Sequence, residues 1–519
     1  MTEPADTGPS TWLPDPSHYP EQMTPLSATT WFAAVGHGLH QAMRELRGPF
    51  GGFLARTERG WAYEGELAPD WEVDASRLQA AAVAVGERWE AELRPRAHAI
   101  TAEIESMRPE DPSPEGGQQM LDRLWTLLEE QWTIHFLMVI PAQVATEMLH
   151  DRYVELLGAG DPLAPYRLVE GLRNESVEAD AALWRLARLA GELGVADDLL
   201  SFPESSVRER LVLRAAGRRW LHHLDGYLLR FGGRSRWHEL SLPREAERPQ
   251  LTIESVRMFL ETGESPRSHA AAREALEADV LARAPGLRPI LEAAKRSYPL
   301  KESHAYHLDY PGLLATREAL LGFGRRLFAE DVIEDVDDVW MLTRVELREA
   351  LVGSGDEVGG IVAERRADLA AGRAEGVRPF LGRQPSDGER HAALEKFYGT
   401  QTAVSGGAVR GTAASPGVAE GPARIVSQPD DFARVRAGDV LIAATTTPAW
   451  TPLFPSLAGL VTDTGGILSH AAVIAREYGI PAVVGAVSAT AAIPDGSRVR
   501  VDGDTGLVTM VGAVNPCGA

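Results

Sequence analysis

Residues 465–485 read Gly-Gly-Ile-Leu-Ser-His-Ala-Ala-Val-Ile-Ala-Arg-Glu-Tyr-Gly-Ile-Pro-Ala-Val-Val-Gly. The stretch sets one histidine, His470, at the opening of a short helix held between two glycine turns. Ser469 is a good N-cap residue, and Gly479 followed by Pro481 is a good stop signal. Between them Ala471, Ile474, Ala475 and Tyr478 fall at helical spacing, which predicts one inward-packing face. His470 then sits in the first turn, where backbone N–H groups without intrahelical partners and the positive dipole end favour an anion. A histidine so placed can take a phosphoryl group on its ring and keep that charge stabilised. The plainer alternative is a buried helix start whose histidine caps or packs.

The rest of the chain frames that helix. At 519 residues it predicts two or more domains and ample buried core. Its charge, 52 − 74 = −22, makes the surface acidic and argues against non-specific binding to nucleic acid or to anionic membranes. The single cysteine, Cys517, cannot form an internal disulfide. No signal peptide and no apolar run of membrane-spanning length is recognised, so a reducing cytoplasm is the expected location.

From Ser76 to about Leu351 apolar residues recur mostly at three- and four-residue intervals, which predicts helices. The expected spans are Arg77–Ile104, Gln118–Gly158, Leu168–Leu193, Ser206–Arg230, Ile253–Leu260, Ala270–Arg283, Leu287–Lys301 and Tyr310–Glu330. Before them, Trp12 to Leu26 reads as a proline-punctuated loop and Glu64 to Glu72 as a solvated one. Residues 353–382 hold one more short helix. From Gly399 the texture changes: residues 399–411 lack large apolar side chains and read as a flexible linker. Short β-rich runs follow at Ala423–Val426, Val440–Ala443, Leu460–Thr462, Ala482–Val484, Val499–Asp502 and Leu507–Met510. The expected architecture is α+β and multidomain. A large, mostly helical domain (1–398) is followed by the linker (399–411) and a small α/β module (412–519), and the linker reads either as an ordinary interdomain connection or as a hinge that lets His470 travel between two sites.

Several separate blocks give the module a family likeness. The glycine pair before His470, the run Ala475-Arg476-Glu477, residues 411–421 (GTAASPGVAEG), Gly438-Asp439-Val440-Leu441 and Asp502-Gly503 closely resemble the phosphohistidine domain of the phosphoenolpyruvate-utilising enzymes. That resemblance implies a swivelling β/β/α domain that carries a phosphoryl group on His470. More loosely, the helical part is similar to the acceptor-substrate domain of the rifampin phosphotransferase branch. The blocks there are Trp12, Asp15, His18 and Pro25-Leu26, residues 60–63 (GWAY), 231–240 (FGGRSRWHEL), 301–309 (KESHAYHLD) and 337–342 (DDVWML). These residues contain no stretch for an ATP-grasp domain, no Gly-rich phosphate loop followed by Lys-Ser or Lys-Thr, and no phosphoenolpyruvate-binding barrel. The arrangement resembles the histidine-bearing subunit of phenylphosphate synthase. ATP and Mg are therefore expected only on a separate ATP-grasp protein, and no intrinsic cofactor is expected.

Two functional classes follow from the likeness. One is a phosphotransferase subunit in which His470 passes the group to a small-molecule hydroxyl bound in the helical domain. The other is a phosphorylation-independent lyase, isomerase or cyclase of specialised metabolism, with His470 as acid or base. For the first, Gly466, Ser469, Thr446, Thr447 and Arg476 are the expected phosphate contacts. The run 445–452 matches a family loop beside the phosphorylated residue, although a Thr/Pro-rich loop needs no ligand. His238 and Glu239 are candidates for the base, and Arg234 or Arg236 for charge stabilisation.

His135 shares a helix face with Leu128, Trp132 and Val139, so it reads either as a core histidine or as a substrate-pocket wall. Glu302, His304, His307 and Asp309 combine imidazole and carboxylate, the donor types of divalent-metal sites. They equally suit a helix cap or a buried hydrogen-bonded network. The expectation here is substrate contact by Glu302, His304 and His307, with no metal. His222-His223 reads as a helix-surface pair, and Trp125, Trp132, Trp237 and Trp340 as core, with Trp450 the exception because it lies in the 445–452 loop.

Overall fold

The computed structural model describes residues 9–15, 18–110, 113–234, 239–263, 270–353, 358–384, 408–427, 429–446 and 448–511. Their contacts form two compact units. One comprises the described residues within 1–145, 237–242 and 296–389; the other comprises those within 146–236, 243–295 and 390–519. The helical region expected as one domain up to 398 is therefore divided, and its residues 146–295 group largely with the histidine module.

The first unit has a small antiparallel sheet in the order Phe53–Glu58, Trp61–Glu66, Thr11–Pro14, Leu381–Gly382. Its tight hairpin turns at Arg59 and Gly60, which both have positive φ (50° and 84°), as a two-residue primed turn requires. The expected loops at Trp12 and Glu64 are thus partly strand, because cross-strand pairing overrides the proline and glutamate content there.

Around this sheet lie the helices Ala33–Leu46, Ala75–Glu105, Leu300–Ala329 and Val358–Glu375. Trp31, Phe32, Trp89, Phe323 and Trp340 fill the core between them. A π turn, Ala28–Phe32, leads into the first of these helices, and two of the other runs contain one, at Trp89–Leu93 and at Ala305–Asp309, which are alike. In each, a backbone N–H reaches back five residues, from Arg94 to Trp89 and from Tyr310 to Ala305. In each, a proline follows at once (Pro95, Pro311), which lacks the N–H to continue the α ladder. Leu287–Lys301 and Tyr310–Glu330, expected as separate helices, become Arg288–Ser297 and one continuous run across the Ala305–Asp309 π turn.

The boundary between the units falls inside a 44-residue helix, Pro114–Leu157, which is about 66 Å long at 1.5 Å per residue. The second unit continues with Glu175–Leu193, Ala196–Ser201, Glu204–Val212, Ala215–Phe231, Gln250–Thr262 and Ala270–Arg283. The helix expected from Leu168 begins only at Glu175, because the Asn174 side chain caps it by accepting from Val177 N. His222 and His223 are exposed, as a surface pair should be.

The histidine module is built on an eight-stranded mixed sheet. Its order is 408–410, 507–510, 498–502, 418–425, 440–443, 459–462, 482–484, 412–415. The three pairings among 418–425, 440–443, 459–462 and 482–484 are parallel and the others antiparallel. Val440, Ile442, Val461, Val483, Val499 and Val501 pack as its core. Residues 408–410, expected in the linker, are an edge strand; residues 399–407 lie outside the described residues. No helix among the described residues is long and apolar enough to cross a membrane.

Candidate functional site

His470 opens the helix His470–Tyr478, and the Ser469 hydroxyl caps it by accepting from Ala472 N at 3.4 Å. Gly465, with φ +108°, makes the turn into the cap; a Cβ there would stand 2.9 Å from the Ser469 hydroxyl. Gly466 contributes its carbonyl, which accepts from Ser469 N at 3.0 Å. The helix ends at Gly479, with φ +63°. The half-buried imidazole lies 3.4 Å from the Thr451 hydroxyl at Nε2 and edge-on to the Phe454 ring. Thr446, on the loop that carries Thr451, is buried, and its hydroxyl has no hydrogen-bond partner among the described residues. Thr447 lies outside those residues.

Arg476 departs from its expected role. Its side chain is fully buried and donates to the Ala414 and Ile467 carbonyls at 2.8 and 2.9 Å. It also lies 3.5 Å from Glu170 and over the Tyr166 ring. It therefore ties down the loop leading into Ser469 and is not placed to bind phosphate. Burial pushes Tyr166 up to about 12 and raises Glu170, against the pull of Arg476.

The next two residues anchor the same helix end. Glu477 accepts from Gly171 N at 2.9 and 3.1 Å, and the Tyr478 hydroxyl donates to the buried Asp180. Burial pushes the Asp180 carboxyl up to about 7, although the Tyr478 hydrogen bond and the charges of Arg234 and His470 favour its ionised form. Its other oxygen has no partner among the described residues.

Arg234 is also corrected. It is 1% exposed and donates to Tyr227 at 2.5 Å and to Glu245 at 3.2 Å, so its charge is matched inside the fold. Glu239 accepts from Thr24 N and Oγ1, Ser27 Oγ and Ser241 N, at 2.6–3.2 Å. Those four donors occupy the carboxylate at a helix start, which makes it a structural anchor and unsuited to be the base. Arg236, Trp237 and His238 lie outside the described residues.

The first unit assembles a second group of functional side chains. His135 Nδ1 lies 2.9 Å from Asp309 Oδ1, and His304 Nε2 lies 3.3 Å from Asp309 Oδ2. His304 Nδ1 donates to the Leu300 carbonyl at 2.8 Å. Burial works against charge on both rings. The Asp309 carboxylate outweighs it at His304, whose pKa is raised, but not at His135, whose pKa is lowered. Burial would raise Asp309, yet the two imidazoles hold it well below the usual carboxylate range. Glu302 is buried and its charge favours protonated His304. His307 stands apart, near His98 and Trp89.

On an α-helix His304 and Asp309, five apart, would stand about 140° from one another. The π turn brings them to one side, and this is what sequence periodicity missed. The pairing with His135 was equally hidden, since 174 residues separate it from Asp309.

Two family models match parts of this chain. A family model described as the PEP-utilising enzyme mobile domain matches residues 435–506. One described as the rifampicin phosphotransferase fourth domain matches residues 135–301. The chain is 31% identical to chondramide synthase cmdD of Chondromyces crocatus, over 96% of this chain and 14% of that protein. It is 31% identical to the uncharacterized phosphotransferase YvkC of Bacillus subtilis, over 73% of this chain and 47% of that protein. With the rifampicin phosphotransferase of Streptomyces sviceus it shares 29% identity, over 76% of this chain and 47% of that protein. The chain thus spans about half or less of the length of these curated relatives. One chain thus holds a segment matching the mobile domain of the PEP-utilising enzymes and another matching a rifampicin phosphotransferase fourth domain, a combination that fits the PEP-utilising enzyme superfamily.

Proposed function

We propose that this chain is a phosphotransferase subunit in which His470 carries a phosphoryl group. The donor is a separate ATP-binding protein of the ATP-grasp type that brings its own Mg, and the acceptor is the hydroxyl of a small molecule bound by the helical part. The observation that carries the reading is the Ser469-capped helix with His470 in its first turn. Backbone N–H groups and the dipole there favour the oxygens of a phosphoryl group, and the nearby Thr451 hydroxyl can donate to them. The names of the relatives YvkC and rifampicin phosphotransferase agree with it. A covalent phosphohistidine divides one difficult transfer into two easier ones.

The test is intact mass at neutral to alkaline pH on protein from its native cells, beside His470→Ala. An acid-labile phosphoryl adduct absent from the variant supports the reading. A bare wild-type mass, repeated after incubation with ATP and native lysate, removes it. A second reading takes its support from the match to chondramide synthase, which covers nearly the whole chain. In it His470 acts as acid or base in a biosynthetic lyase, isomerase or cyclase without phosphorylation, and the bare mass is the expected result.

A further inference from the structure

The His135–Asp309–His304 group in the first unit has no place in the phosphohistidine chemistry described above. We propose that His135 is the general base that takes the proton from the hydroxyl of a ring-bearing, apolar acceptor, with Asp309 and His304 as positioning residues. The hydrogen bonds assign the protons. His304 Nδ1 must carry a hydrogen because it donates to the Leu300 carbonyl. Its Nε2 faces Asp309 Oδ2 at 3.3 Å, and two bare acceptors would repel there, so this nitrogen is protonated too. His304 and Asp309 are then an imidazolium–carboxylate pair. The second carboxylate oxygen takes the hydrogen of His135 Nδ1 at 2.9 Å. That leaves the lone pair on His135 Nε2, in the tautomer a base requires.

The surroundings indicate the ligand class. The Trp132 and Phe136 rings lie 4.7 and 4.8 Å from the imidazole, centroid to centroid; Trp132 is buried behind it, and the partly exposed Phe136 offers an aromatic surface to a flat molecule. The His135 side chain is 13% exposed, enough to be reached. The charged or titratable groups acting on it are Asp309, His304 and His18. These same three residues, with donor atoms within 4.8 Å of one another, are also a set that a divalent cation accepts. Here, however, the two imidazoles take different oxygens of one carboxylate, which is the pattern of a hydrogen-bonded relay.

The proposal rests on the phosphotransferase reading for what the oxygen does next. The O–H bond breaks and its proton moves to His135 Nε2. The oxygen forms a bond to phosphorus, and the N–P bond breaks with its electron pair returning to the His470 ring. Solvent then takes the proton from His135.

The test treats the full chain with diethyl pyrocarbonate from about pH 5 to about pH 8 and maps each histidine by peptide mass. His135 should be modified, with an inflection below the usual imidazole value of about 6.5. Asp309→Asn should move that inflection further toward acid, and Asp309→Glu should restore it. His304→Gln removes an opposing positive charge and should move it the other way, which keeps the test decisive where one variant fails to fold. An unreactive His135, or an inflection indifferent to both neighbours, overturns the proposal. So does a stoichiometric divalent metal that shields His135 until it is chelated. If the profile holds while His470 never carries a phosphoryl group, the base stands and the phosphotransferase reading falls.

Discussion

His470 and His135 both stand on helices, and the chain holds them in opposite ways. His470 meets a hydroxyl at 3.4 Å in a first turn, beside a loop whose buried Thr446 hydroxyl has no partner among the described residues. His135 is held at one nitrogen by a carboxylate that is itself held by a second imidazole. One arrangement sets the ring beside backbone N–H groups that suit an anion. The other fixes a proton's position and leaves one lone pair to act. The difference suggests that helix ends receive anions, whereas helix interiors, where backbone groups are spent, serve as sites only through side-chain relays.

The largest expected effect concerns the loop that leads into His470. Arg476→Ala would leave Glu170 buried without its guanidinium and free the loop before Ser469. Denaturant unfolding should show a loss of about 3–5 kcal/mol, and lysine should not restore the paired carbonyl contacts. A variant within about 1 kcal/mol of wild type would make Arg476 incidental.

Asp180 gives the next effect, through pH. Its carboxyl rises from 3.8 to about 7 on folding, so the folded state holds a proton that the unfolded chain has released between those values. The associated stability is complete below the lower value and is lost as pH rises through about 7, amounting to roughly 4 kcal/mol at most. The wild type should therefore lose stability between about pH 4 and about pH 7, and Asp180→Asn should flatten that slope. An unchanged slope would locate the titration elsewhere.

Smaller still, Gly465→Ala places a side chain in the left-handed region and against Ser469, at a cost of about 1–3 kcal/mol in thermal unfolding. Thr446→Val should change stability by no more than about 1 kcal/mol, because it deletes a hydroxyl that bonds nothing among the described residues. If that hydroxyl meets a phosphoryl group, the variant's phosphohistidine should form or persist several-fold less well. Equal lifetimes would leave Thr446 a packing residue.

The histidine module was largely legible because its signals are local. Ser469, Gly479 and Pro481 bracket one helix, and runs such as Val440–Ala443 alternate with turns. The helical units were legible as helices but not as sites. Glu239 and Arg234 carry residue types that suit catalysis, and only the fold reveals that Ser27 and Glu245 already engage them. Nor could periodicity find the Ala305–Asp309 turn, since Pro311 reads as the start of a helix and in fact sits within one. The small sheet of the first unit was missed because Thr11–Pro14 pairs with residues about fifty and about 370 positions away.

The consecutive residues Arg476, Glu477 and Tyr478 hold the second unit's segment 166–180 by three different chemistries: a cation over a ring and beside a carboxylate, a carboxylate on a backbone amide, and a phenol on a buried acid. Such a fastening is keyed where it uses side chains on both sides, at Arg476 and Tyr478, whereas Glu477 meets a backbone amide. A histidine module exchanged among relatives would seat correctly only where the recipient keeps the matching Tyr166, Glu170 and Asp180. Compatibility between transplanted parts is thus written in those paired side chains, none of which has to touch the transferred group.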